Sequence, residues 1–511
     1  MDAGLSSTSG STSDGASAAD ASTPDTAGDS SSGSIDSDAD TVDAAVATGS
    51  FVDSTAEADS SPGPSVQAAV TVMPGVALGQ IGPGFAGLSY EKSHLIGGFF
   101  SANNAPLVAL LRLLGPSILR IGGNSVDETM WQGGAEAGAP AGDAAAQASI
   151  AKSDVDGLAT LVKAAGWSVI YGVNMKTSTP AIAADEASYA AADLASNLYG
   201  FEIGNEVDLY KSTLLSATWS YAIFDTQWRV FASAIRGGGP GAAAALTGPA
   251  AASNYEGYTV PFAADEASQI RLLTQHYYRA NGMLATSTLD LLLKPDPGLV
   301  TMLEALSTAA TKNAILDGYR CSECNSFYNG GASGVSDAFG TALWGIDFLF
   351  TNAEYGGSGV NFHGGGNGPG YTPIADANGA VVGVRPLYYG MLLFNLAGPG
   401  SMVEAQVDAA GLNFTAYAVG STGGSTNIVL VNKDSTTTAH TTIHVGKTIS
   451  MATVTRLEGP SLGATTGTTL GGAPVDVTGT WAPLPAASVS VSGDQAIVDV
   501  PPASAAMVHT D

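Results

Sequence analysis

The sequence has few positive charges, and this shortage excludes several kinds of partner. Its 511 residues carry 18 Lys and Arg against 46 Asp and Glu, which gives a formal net charge of −28. A chain this acidic lacks the basic surface that nucleic acid binding requires, and it repels long polyanions. We therefore expect no nucleic acid partner, and a neutral or small substrate fits the charge better.

Cysteine is also scarce. Only Cys321 and Cys324 occur, so a hydrophobic core rather than a disulfide framework must hold the fold. Residues three apart on an extended strand lie about 10 Å from each other, beyond disulfide reach unless the chain turns sharply. A zinc site at this Cys-x-x-Cys would need two further ligands, which the scattered histidines do not supply. Two free thiols, no metal and no cofactor are expected.

Long apolar runs are absent as well. No stretch of about 18–20 apolar residues could span a bilayer, and the N-terminus lacks the basic and apolar regions of a signal peptide. Residues 1–64 are almost entirely Ser, Asp, Ala, Thr and Gly, and the first basic residue is Lys92. This composition predicts a disordered acidic tail. Such tails commonly tether exported domains, so we expect a secreted or surface-tethered protein; a solubilising extension without a further role is the alternative.

From residue 85 to residue 396, short β-branched runs alternate with amphipathic stretches rich in Ala and Leu. This alternation predicts a parallel sheet. Eight such units over about 300 residues match a (β/α)₈ TIM barrel with insertions better than an open doubly wound sheet. The strand candidates are Phe85–Glu91, Ser117–Gly122, Ser168–Asn174, Tyr199–Asn205, Ala245–Pro249, Leu272–Tyr278, Ile315–Glu323 and Ser358–His363.

Residues 397–511 follow a different pattern, in which alternating strands are separated by Gly, Thr and Ser turns. This pattern predicts a C-terminal β-sandwich domain. Segment 65–84 is also strand-like, and we expect it to join this sheet. The strand candidates are Phe414–Val419, Asn427–Asn432, Thr441–Val445, Ala452–Leu457 and Ala496–Val500.

Two glutamates follow strand candidates of the predicted barrel. The segment YGFEIGNEVDLY carries Glu206, and YRCSECNSFYNGG carries Glu323 three strand candidates later. The C-terminal strand ends of a TIM barrel form its active-site face, so the two carboxylates are expected to converge on one mouth. Glycoside hydrolysis needs such a pair, one to protonate the leaving oxygen and one to attack or to activate water. For either glutamate alone, a solvated loop residue is the alternative.

These motifs resemble glycoside hydrolase family 79, the family of β-glucuronidases and heparanase. The resemblance covers about residues 66–511 and implies a (β/α)₈ barrel with a β-sandwich and a retaining reaction. It makes Glu206 the general acid/base and Glu323 the nucleophile, and retention requires their carboxyl groups to lie about 5–5.5 Å apart. Glu206 must start protonated, so its pKa is expected to be raised by the neighbouring anion. The segments that carry the resemblance are FAGLSYE (Phe85–Glu91), LRIGGN (Leu119–Asn124), IGNEVD (Ile203–Asp208), QHYY (Gln275–Tyr278), SECNSFYNGGA (Ser322–Ala332) and PPASAAMV (Pro501–Val508).

The resemblance also implies contacts around the two glutamates. Asn205 resembles the position that binds the sugar 2-hydroxyl, with a turn asparagine as the alternative. Side chains alternate along a strand, so His276 and Tyr278 point the same way and Tyr277 points elsewhere. Tyr278 is a natural donor to the nucleophile, with a core tyrosine as the alternative. We expect His276 to be structural or a sugar contact rather than a general base.

Three further residues close the first strands of the predicted barrel. Glu91 matches a family position that contacts the distal hydroxyls of the sugar, with a surface carboxylate as the alternative. Asn124 and Asn174 are expected to line the −1 subsite.

A uronic acid substrate would need a site for its carboxylate. The family uses two tyrosine hydroxyls with backbone N–H groups after the nucleophile, and here Tyr328, Asn329 and Gly330 match the first of these positions. Tyr371 resembles the second tyrosine, and a floppy glycine-rich loop (Gly364–Gly370) is the alternative. Neutral donors can hold a carboxylate because hydrogen bonds to a charged group are about twice as strong as neutral ones.

The sequence departs from heparanase, which grips a sulfated chain with basic residues. Lys176 and few other cations lie near the predicted strand ends. The leading interpretation is therefore an exo-acting β-glucuronidase that takes a carbohydrate substrate. A β-glucosidase or diglycosidase of the same family is the alternative enzyme. A non-catalytic carbohydrate-binding barrel would be expected to lose one glutamate, and both are present. The sequence does not indicate an oligomeric state.

Overall fold

Eight parallel strands close into a barrel in the computed structural model, which describes residues 63–133, 148–213, 218–421 and 423–511. Each strand pairs with the next along the chain, and the last pairs with the first. The predicted TIM barrel is confirmed. The strands are β1 (Ala86–Glu91), β2 (Ile118–Gly122), β3 (Ser168–Val173), β4 (Leu198–Ile203), β5 (Leu246–Ala251), β6 (Ile270–Asn281), β7 (Tyr319–Tyr328) and β8 (Val360–Gly364).

Helices lie between the strands and pack against neighbouring helices, as Lys152–Ala165 does against Ala105–Leu113 and Pro180–Leu194. Their ends follow local rules. Thr179, for example, caps the helix that starts at Pro180 by accepting from the Ile182 N–H. The α-helices of the described residues are α1 (Ala105–Leu113), α2 (Lys152–Ala165), α3 (Pro180–Leu194), α4 (Tyr210–Thr213), α5 (Tyr221–Arg236), α6 (Val260–Asp265), α7 (Leu289–Leu292), α8 (Pro297–Lys312), α9 (Gly340–Glu354) and α10 (Pro386–Ala397).

One strand prediction is wrong at both of its ends. Residues 315–318 form a turn, because Gly318 has a left-handed φ of +70° and its N–H bonds back to the Ile315 carbonyl. Strand β7 then continues to Tyr328, so Glu323 lies inside the strand and not at its end. The pairing register with β6 shifts between Cys321 and Glu323. Such a bulge re-aims side chains, and its position beside a predicted catalytic residue fits the usual location of bulges.

Both cysteines lie in this bulged strand as buried free thiols. Cys321 Sγ contacts Asn352 Oδ1 at 3.2 Å, and Cys324 Sγ contacts the Asn361 carbonyl at 3.3 Å. Each thiol therefore has a polar partner within the packed core.

The C-terminal domain is a sheet that wraps around its own core. Val70, Ile428, Ile443 and Val498 come from strands far apart across the sheet, yet they share one buried cluster. The N-terminal strand Ser65–Ile81 lies in the middle of this sheet, antiparallel to Gly400–Asp408 and parallel to Thr438–His444. In order across the sheet, the strands are Thr469–Leu470, Ala452–Glu458, Ser504–Thr510, Thr426–Asn432, Phe414–Gly420, Gly400–Asp408, Ser65–Ile81, Thr438–His444, Gln495–Val500 and Ser490–Ser492, while Ala487–Ser488 pairs with Ala452–Glu458.

Five of the eleven described strands of this sheet were not predicted: the short strands Thr469–Leu470, Ala487–Ser488 and Ser490–Ser492, and two longer ones, Gly400–Asp408 and Ser504–Thr510. Gly400–Asp408 has only two β-branched residues in nine, and Ser504–Thr510 has only two in seven, so neither has the β-branched composition that marks a strand. Among the described residues, two further pairs of short strands lie outside the barrel and the large sheet. They are Thr129–Trp131 with Ala148–Ile150, and Ile374–Ala377 with Ala380–Val384.

The predicted acidic tail, residues 1–64, lies outside the described residues except for its last two, so the tail and the expected export stay predictions. Within the described part of the chain, no helix is both long and apolar enough to cross a bilayer.

A buried ion pair links the barrel to the β domain. Asp347 of α9 accepts hydrogen bonds from the Thr415 hydroxyl at 2.6 Å and the Tyr417 hydroxyl at 3.0 Å. It also pairs with the Lys433 ammonium, whose side chain is only 4% exposed. A buried cation that loses its carboxylate partner strongly destabilises the fold, so the stability of this interface depends on Asp347.

We predict that Asp347→Ala lowers the free energy of unfolding by roughly 3–5 kcal/mol, because it leaves the buried Lys433 ammonium unpaired. Urea denaturation followed by tryptophan fluorescence measures this loss. The control is Asp290→Ala, which breaks the exposed Lys294–Asp290 pair and should leave the stability almost unchanged. Equal small effects of both substitutions would contradict the prediction.

Candidate active site

Two carboxylates and one imidazole meet at the C-terminal mouth of the barrel. One oxygen of Glu206, one oxygen of Glu323 and Nδ1 of His276 all lie within 4.8 Å of one another. Glu206 comes after β4 in the sequence. Its side chain is 19% exposed, whereas the Glu323 side chain is 8% exposed. The structure therefore brings together the two residues that sequence analysis selected as catalytic.

Arg120 is the positive centre of the site. It is fully buried on β2, and its Nη1 donates to Glu323 Oε2 at 2.6 Å. Its Nε donates to Glu202 Oε2 at 2.6 Å, and its Nη2 donates to Asn205 Oδ1 at 2.8 Å. A metal ion at the carboxylate pair would lie beside this guanidinium, which already neutralises Glu323, so the electrostatics disfavour a cation there.

Sequence analysis missed Arg120 and Glu202 as parts of the site, although both lie in motifs that it quoted. A usable signal was present. Each is a charged residue between apolar neighbours on a strand that must be buried, and buried charges are almost always paired.

Glu323 is surrounded by donors and positive charge. Tyr278 donates its hydroxyl to Glu323 Oε1 at 2.9 Å, and Nδ1 atoms of His276 and His363 each lie 3.9 Å from Oε2. Burial alone would raise the pKa of Glu323, but His363, His276 and Arg120 together lower it well below its usual range. Glu323 is therefore an anion at neutral pH.

Glu206 has the opposite electrostatic environment. Burial raises the pKa of Glu206, and the Glu323 and Asp208 charges raise it further, against a hydrogen bond with His276 that lowers it. The His276 Nδ1 lies 3.3 Å from Glu206 Oε1. Sequence analysis expected the neighbouring anion to cause this shift, and the structure adds burial as the larger cause. The two carboxyl groups thus have pKa values pushed apart, the pattern that separates an acid from an anion in one site.

His276 lies between these two carboxylates and is only 1% exposed. Its ring contacts the glutamates and has almost no surface left for a sugar. Of the two predicted roles, the structure supports a structural neighbour of the carboxylates.

Glu91 ends β1 on the same face and is held by the turn that follows β2. It accepts hydrogen bonds from the Asn124 N–H at 3.2 Å and from the Ser125 N–H at 2.8 Å. Burial would raise the pKa of Glu91, but a hydrogen bond and the charge of His363 lower it below its usual range. Glu91 is thus a fixed anion in the mouth and differs from a freely solvated surface carboxylate.

His363, at the end of β8, is a site residue that sequence analysis did not single out. Its Nε2 lies 3.5 Å from Glu91 Oε1, and its Nδ1 lies 3.0 Å from Ser89 Oγ. Burial lowers the pKa of His363, but the Glu323 and Glu91 carboxylates outweigh it and raise the pKa. No pattern around this histidine distinguishes it from a core residue, because its partners come from other strands.

The three predicted asparagines differ in their hydrogen-bond partners. Asn205 is buried and donates from Nδ2 to Asn124 Oδ1 at 3.4 Å, so both lie in the site. The contacts of Asn174 do not support its predicted place in the sugar subsite. Its Nδ2 donates to the Thr129 carbonyl and the Thr177 hydroxyl, and its Oδ1 accepts from the Thr177 N–H. Every polar group of this buried amide is used to hold loops together.

The tyrosines selected for carboxylate recognition lie around Tyr278. The ring centroids of Tyr328 and Tyr371 are 6.4 Å and 6.1 Å from that of Tyr278. After Tyr328 the chain takes a left-handed course, with φ of +60° at Asn329 and +77° at Gly330. Tyr328 and Tyr371 thus both lie beside Tyr278, whose hydroxyl binds Glu323, and Asn329 and Gly330 directly follow Tyr328.

Hydrogen bonds hold the glycine-rich loop before Tyr371 at several points, which argues against the floppy-loop alternative. Asp376 Oδ1 accepts from the Gly366 N–H at 2.7 Å, and Arg385 Nη1 donates to the Gly370 carbonyl at 3.0 Å. The Tyr371 carbonyl itself accepts from Asn325 Nδ2 at 3.1 Å. Sequence analysis did not predict these ties, because Asp376 and Arg385 lie outside the motifs.

Comparison with known protein families matches residues 416–507 to the glycosyl hydrolase family 79 C-terminal beta domain. A stretch of 70 residues, 13% of this chain, is 44% identical to a β-glucuronidase of Neurospora crassa. A stretch of 212 residues, 37% of this chain, is 27% identical to a β-glucuronidase of Aspergillus niger. The matched stretches span 12% and 39% of the lengths of these relatives.

Solved structures share the fold over most of the chain. A 4-O-α-L-rhamnosyl-β-D-glucuronidase from Fusarium oxysporum superimposes with a TM-score of 0.72 at 19% identity, covering 86% of this chain and 99% of that one. A family 51 α-L-arabinofuranosidase from Bifidobacterium longum gives a TM-score of 0.63 at 15% identity, covering 87% and 99%. At these identities the likeness establishes the fold alone. Together with the β-domain match, these similarities confirm the family resemblance of the motifs.

We predict that Tyr278→Phe raises the pKa of Glu323, because it removes a hydroxyl donor that stabilises the carboxylate. The measurement is a ¹³C NMR titration of glutamate-labelled protein, with the Glu323 signal assigned by its loss in Glu323→Gln. The matched control is Tyr277→Phe, since the neighbouring Tyr277 hydroxyl donates to Asp296 and its ring stacks on Phe348. An unchanged Glu323 titration in Tyr278→Phe would refute the prediction.

Proposed function

We propose that this chain, which belongs to glycoside hydrolase family 79, is a retaining exo-β-glucuronidase that removes terminal β-D-glucuronic acid from glycosides. The observation that carries the proposal is the pair Glu206 and Glu323. Their oxygens lie within 4.8 Å, and their pKa values are shifted in opposite directions.

The separation of the carboxylates supports retention over inversion. Inverting enzymes keep their carboxyl groups about 6.5–9.5 Å apart to admit a water molecule, while retaining enzymes keep them about 5–5.5 Å apart. The Glu206 and Glu323 oxygens, which lie within 4.8 Å of each other, are closer than the inverting range requires. A direct attack by one carboxylate on the sugar is the chemistry that fits.

In the first step, a carboxylate oxygen of Glu323 attacks the anomeric carbon while Glu206 donates its proton to the leaving oxygen. The bond between the anomeric carbon and that oxygen breaks, the aglycone departs as an alcohol, and a glycosyl ester forms on Glu323. Arg120 and Tyr278 hold Glu323 ionised and oriented for this attack.

In the second step, Glu323 no longer carries a charge, so the pKa of Glu206 falls and its carboxylate acts as a base. Glu206 takes a proton from water, the resulting hydroxide attacks the anomeric carbon, and the ester bond to Glu323 breaks. Two displacements on the same carbon restore the β configuration.

A glucuronate substrate is supported by the donors beside the nucleophile. The hydroxyls of Tyr328 and Tyr371 and the backbone N–H groups of Asn329 and Gly330 are proposed to bind its carboxylate. Neutral donors suffice, since hydrogen bonds to a charged acceptor contribute about 1.5–3 kcal/mol each. The Neurospora crassa and Aspergillus niger relatives, which are β-glucuronidases by name, support the same choice of sugar.

The direct test compares hydrolysis of 4-nitrophenyl β-glucuronide, β-glucoside and β-galactoside by the full chain. The glucuronide should give the highest kcat/KM, and Glu323→Ala should reduce its cleavage by on the order of 10⁴ or more. Faster cleavage of the glucoside would refute the uronic acid assignment. No cleavage of any of the three would favour a carbohydrate-binding barrel instead.

Tyr371→Phe serves as the control on sugar selection within the same assay. Removing one hydroxyl donor should lower kcat/KM for the glucuronide by roughly 10–100-fold, since the charged hydrogen bond is lost. The glucoside, which has no carboxylate at that position, should be affected much less. Equal losses on both sugars would contradict carboxylate recognition by Tyr371.

A further inference from the structure

A second buried acid lies behind the turn that carries Glu206. Asp127 follows β2 and is 2% exposed, and its Oδ2 accepts the Tyr210 hydroxyl proton at 2.6 Å. Burial raises the pKa of Asp127 to about 6, against the Tyr210 hydrogen bond, which lowers it. The double-displacement steps give this carboxyl no part in bond making, yet the Tyr210 hydroxyl links it to the Asn205 N–H, one residue before Glu206.

The backbone at Glu206 is in a conformation that a residue with a Cβ adopts only at a cost. Gly204 has φ +84°, and Glu206 has φ +48° and ψ +48°. A left-handed residue other than glycine costs roughly 1–2 kcal/mol, so neighbouring contacts must hold it. The Glu206 N–H donates to the Ala250 carbonyl at 2.8 Å, and the Asn205 N–H donates to the Tyr210 hydroxyl oxygen at 3.3 Å.

The Tyr210 hydroxyl has a single proton, and Asp127 determines where it points. With that proton on the side of Asp127, a lone pair of the same oxygen faces the Asn205 N–H. The ring is fixed by Trp219, whose centroid is 5.3 Å away, and by the Lys176 ammonium at 5.2 Å. A Cβ on Gly204 would approach the hydroxyl oxygen to 2.9 Å, so the turn and the hydroxyl fit closely.

We propose that Asp127 and Tyr210 are positioning residues that hold the Glu206 turn so that the acid/base carboxyl meets the leaving oxygen. The proposal rests on the proposed function. These two residues act on the turn through the Asn205 backbone, whereas Arg120 binds Glu323 and the Asn205 side chain directly. A defect in Asp127 or Tyr210 therefore impairs proton donation and spares nucleophilic attack.

The experiment uses leaving groups that differ in their need for a proton. The value of kcat/KM reports formation of the glycosyl ester, and it is measured for phenyl and 2,4-dinitrophenyl β-glucuronide. Phenolate needs protonation to leave, whereas dinitrophenolate departs without it. Tyr210→Phe should reduce kcat/KM for the phenyl glycoside about 10–100-fold, within the range that general acid catalysis and alignment supply, and for the dinitrophenyl glycoside less than about 3-fold.

Two variants of Asp127 test whether this residue orients the Tyr210 hydroxyl or only fills buried space. Asp127→Asn keeps a carbonyl oxygen that accepts the Tyr210 proton, so it should retain the leaving-group dependence of the wild type. Asp127→Leu removes the acceptor while keeping the branched shape of the side chain, and it should behave like Tyr210→Phe. If Tyr210→Phe fails to fold, as judged by its melting temperature, the comparison of Asp127→Asn with Asp127→Leu still tests the positioning role.

The matched control is Tyr171→Phe. The Tyr171 hydroxyl also donates to a buried carboxylate, Glu186 of α3, at 2.8 Å, but this pair lies between β3 and α3 and not at the mouth. Its loss should change both substrates by the same factor.

Equal losses on the phenyl and dinitrophenyl glycosides in Tyr210→Phe would overturn the proposal, since a merely structural role lowers both. So would a phenyl-selective loss in Tyr171→Phe. If the wild type cleaves aryl glucosides and not glucuronides, the proposed sugar is wrong and the same series on glucosides tests the positioning. Cleavage of no aryl glycoside would refute both proposals.

Discussion

The buried guanidinium of Arg120 is the interaction on which the mouth of the barrel depends. Arg120 of β2 binds Glu202 near the end of β4, Asn205 of the turn that follows β4, and Glu323 of β7, so one cation joins three strands of the barrel. A buried charge without partners is strongly unfavourable, and each partner is therefore held in place by the need to neutralise it. The glycines of the LRIGGN motif make this possible. A Cβ on Gly122 would lie 2.2 Å from Arg120 Cζ, and one on Gly123 would lie 2.4 Å from the Glu91 carboxyl carbon.

The charge of Arg120 gives the two glutamates different protonation states. Arg120, Tyr278 and the two histidines favour the ionised form of Glu323, while burial and the Glu323 anion favour the protonated form of Glu206. Under the proposed mechanism, the same network makes the protonation of Glu206 respond to Glu323, because esterification of Glu323 would remove a charge that raises the pKa of Glu206. The bulge in β7 and the left-handed turn at Glu206 then set where the two carboxyls stand relative to each other.

Much of this arrangement was predictable from patterns along the chain. The barrel strands are apolar runs because both of their faces are buried, so their positions follow from local sequence. Glu206 and Glu323 were found because each belongs to a motif after an apolar run. Arg120 and His363 were not predicted, because their importance arises from partners on other strands. The contacts of Asn174 were not predicted for the same reason, since its partners Thr129 and Thr177 cannot be read from its own position. The predicted bounds of β7 were displaced along the chain because a bulge leaves no signature in hydrophobic periodicity.

The central claim is that Glu323 attacks the sugar and forms a covalent ester. The most direct test is to incubate the full chain with 2-deoxy-2-fluoro-β-glucuronyl fluoride, whose good leaving group allows attack while the fluorine slows hydrolysis of the ester. Mass spectrometry should find one sugar per chain, and peptide mapping should locate it on Glu323. A sugar attached to Glu206 or Glu91, or an enzyme that turns over glucuronides but never becomes labelled, would contradict the account.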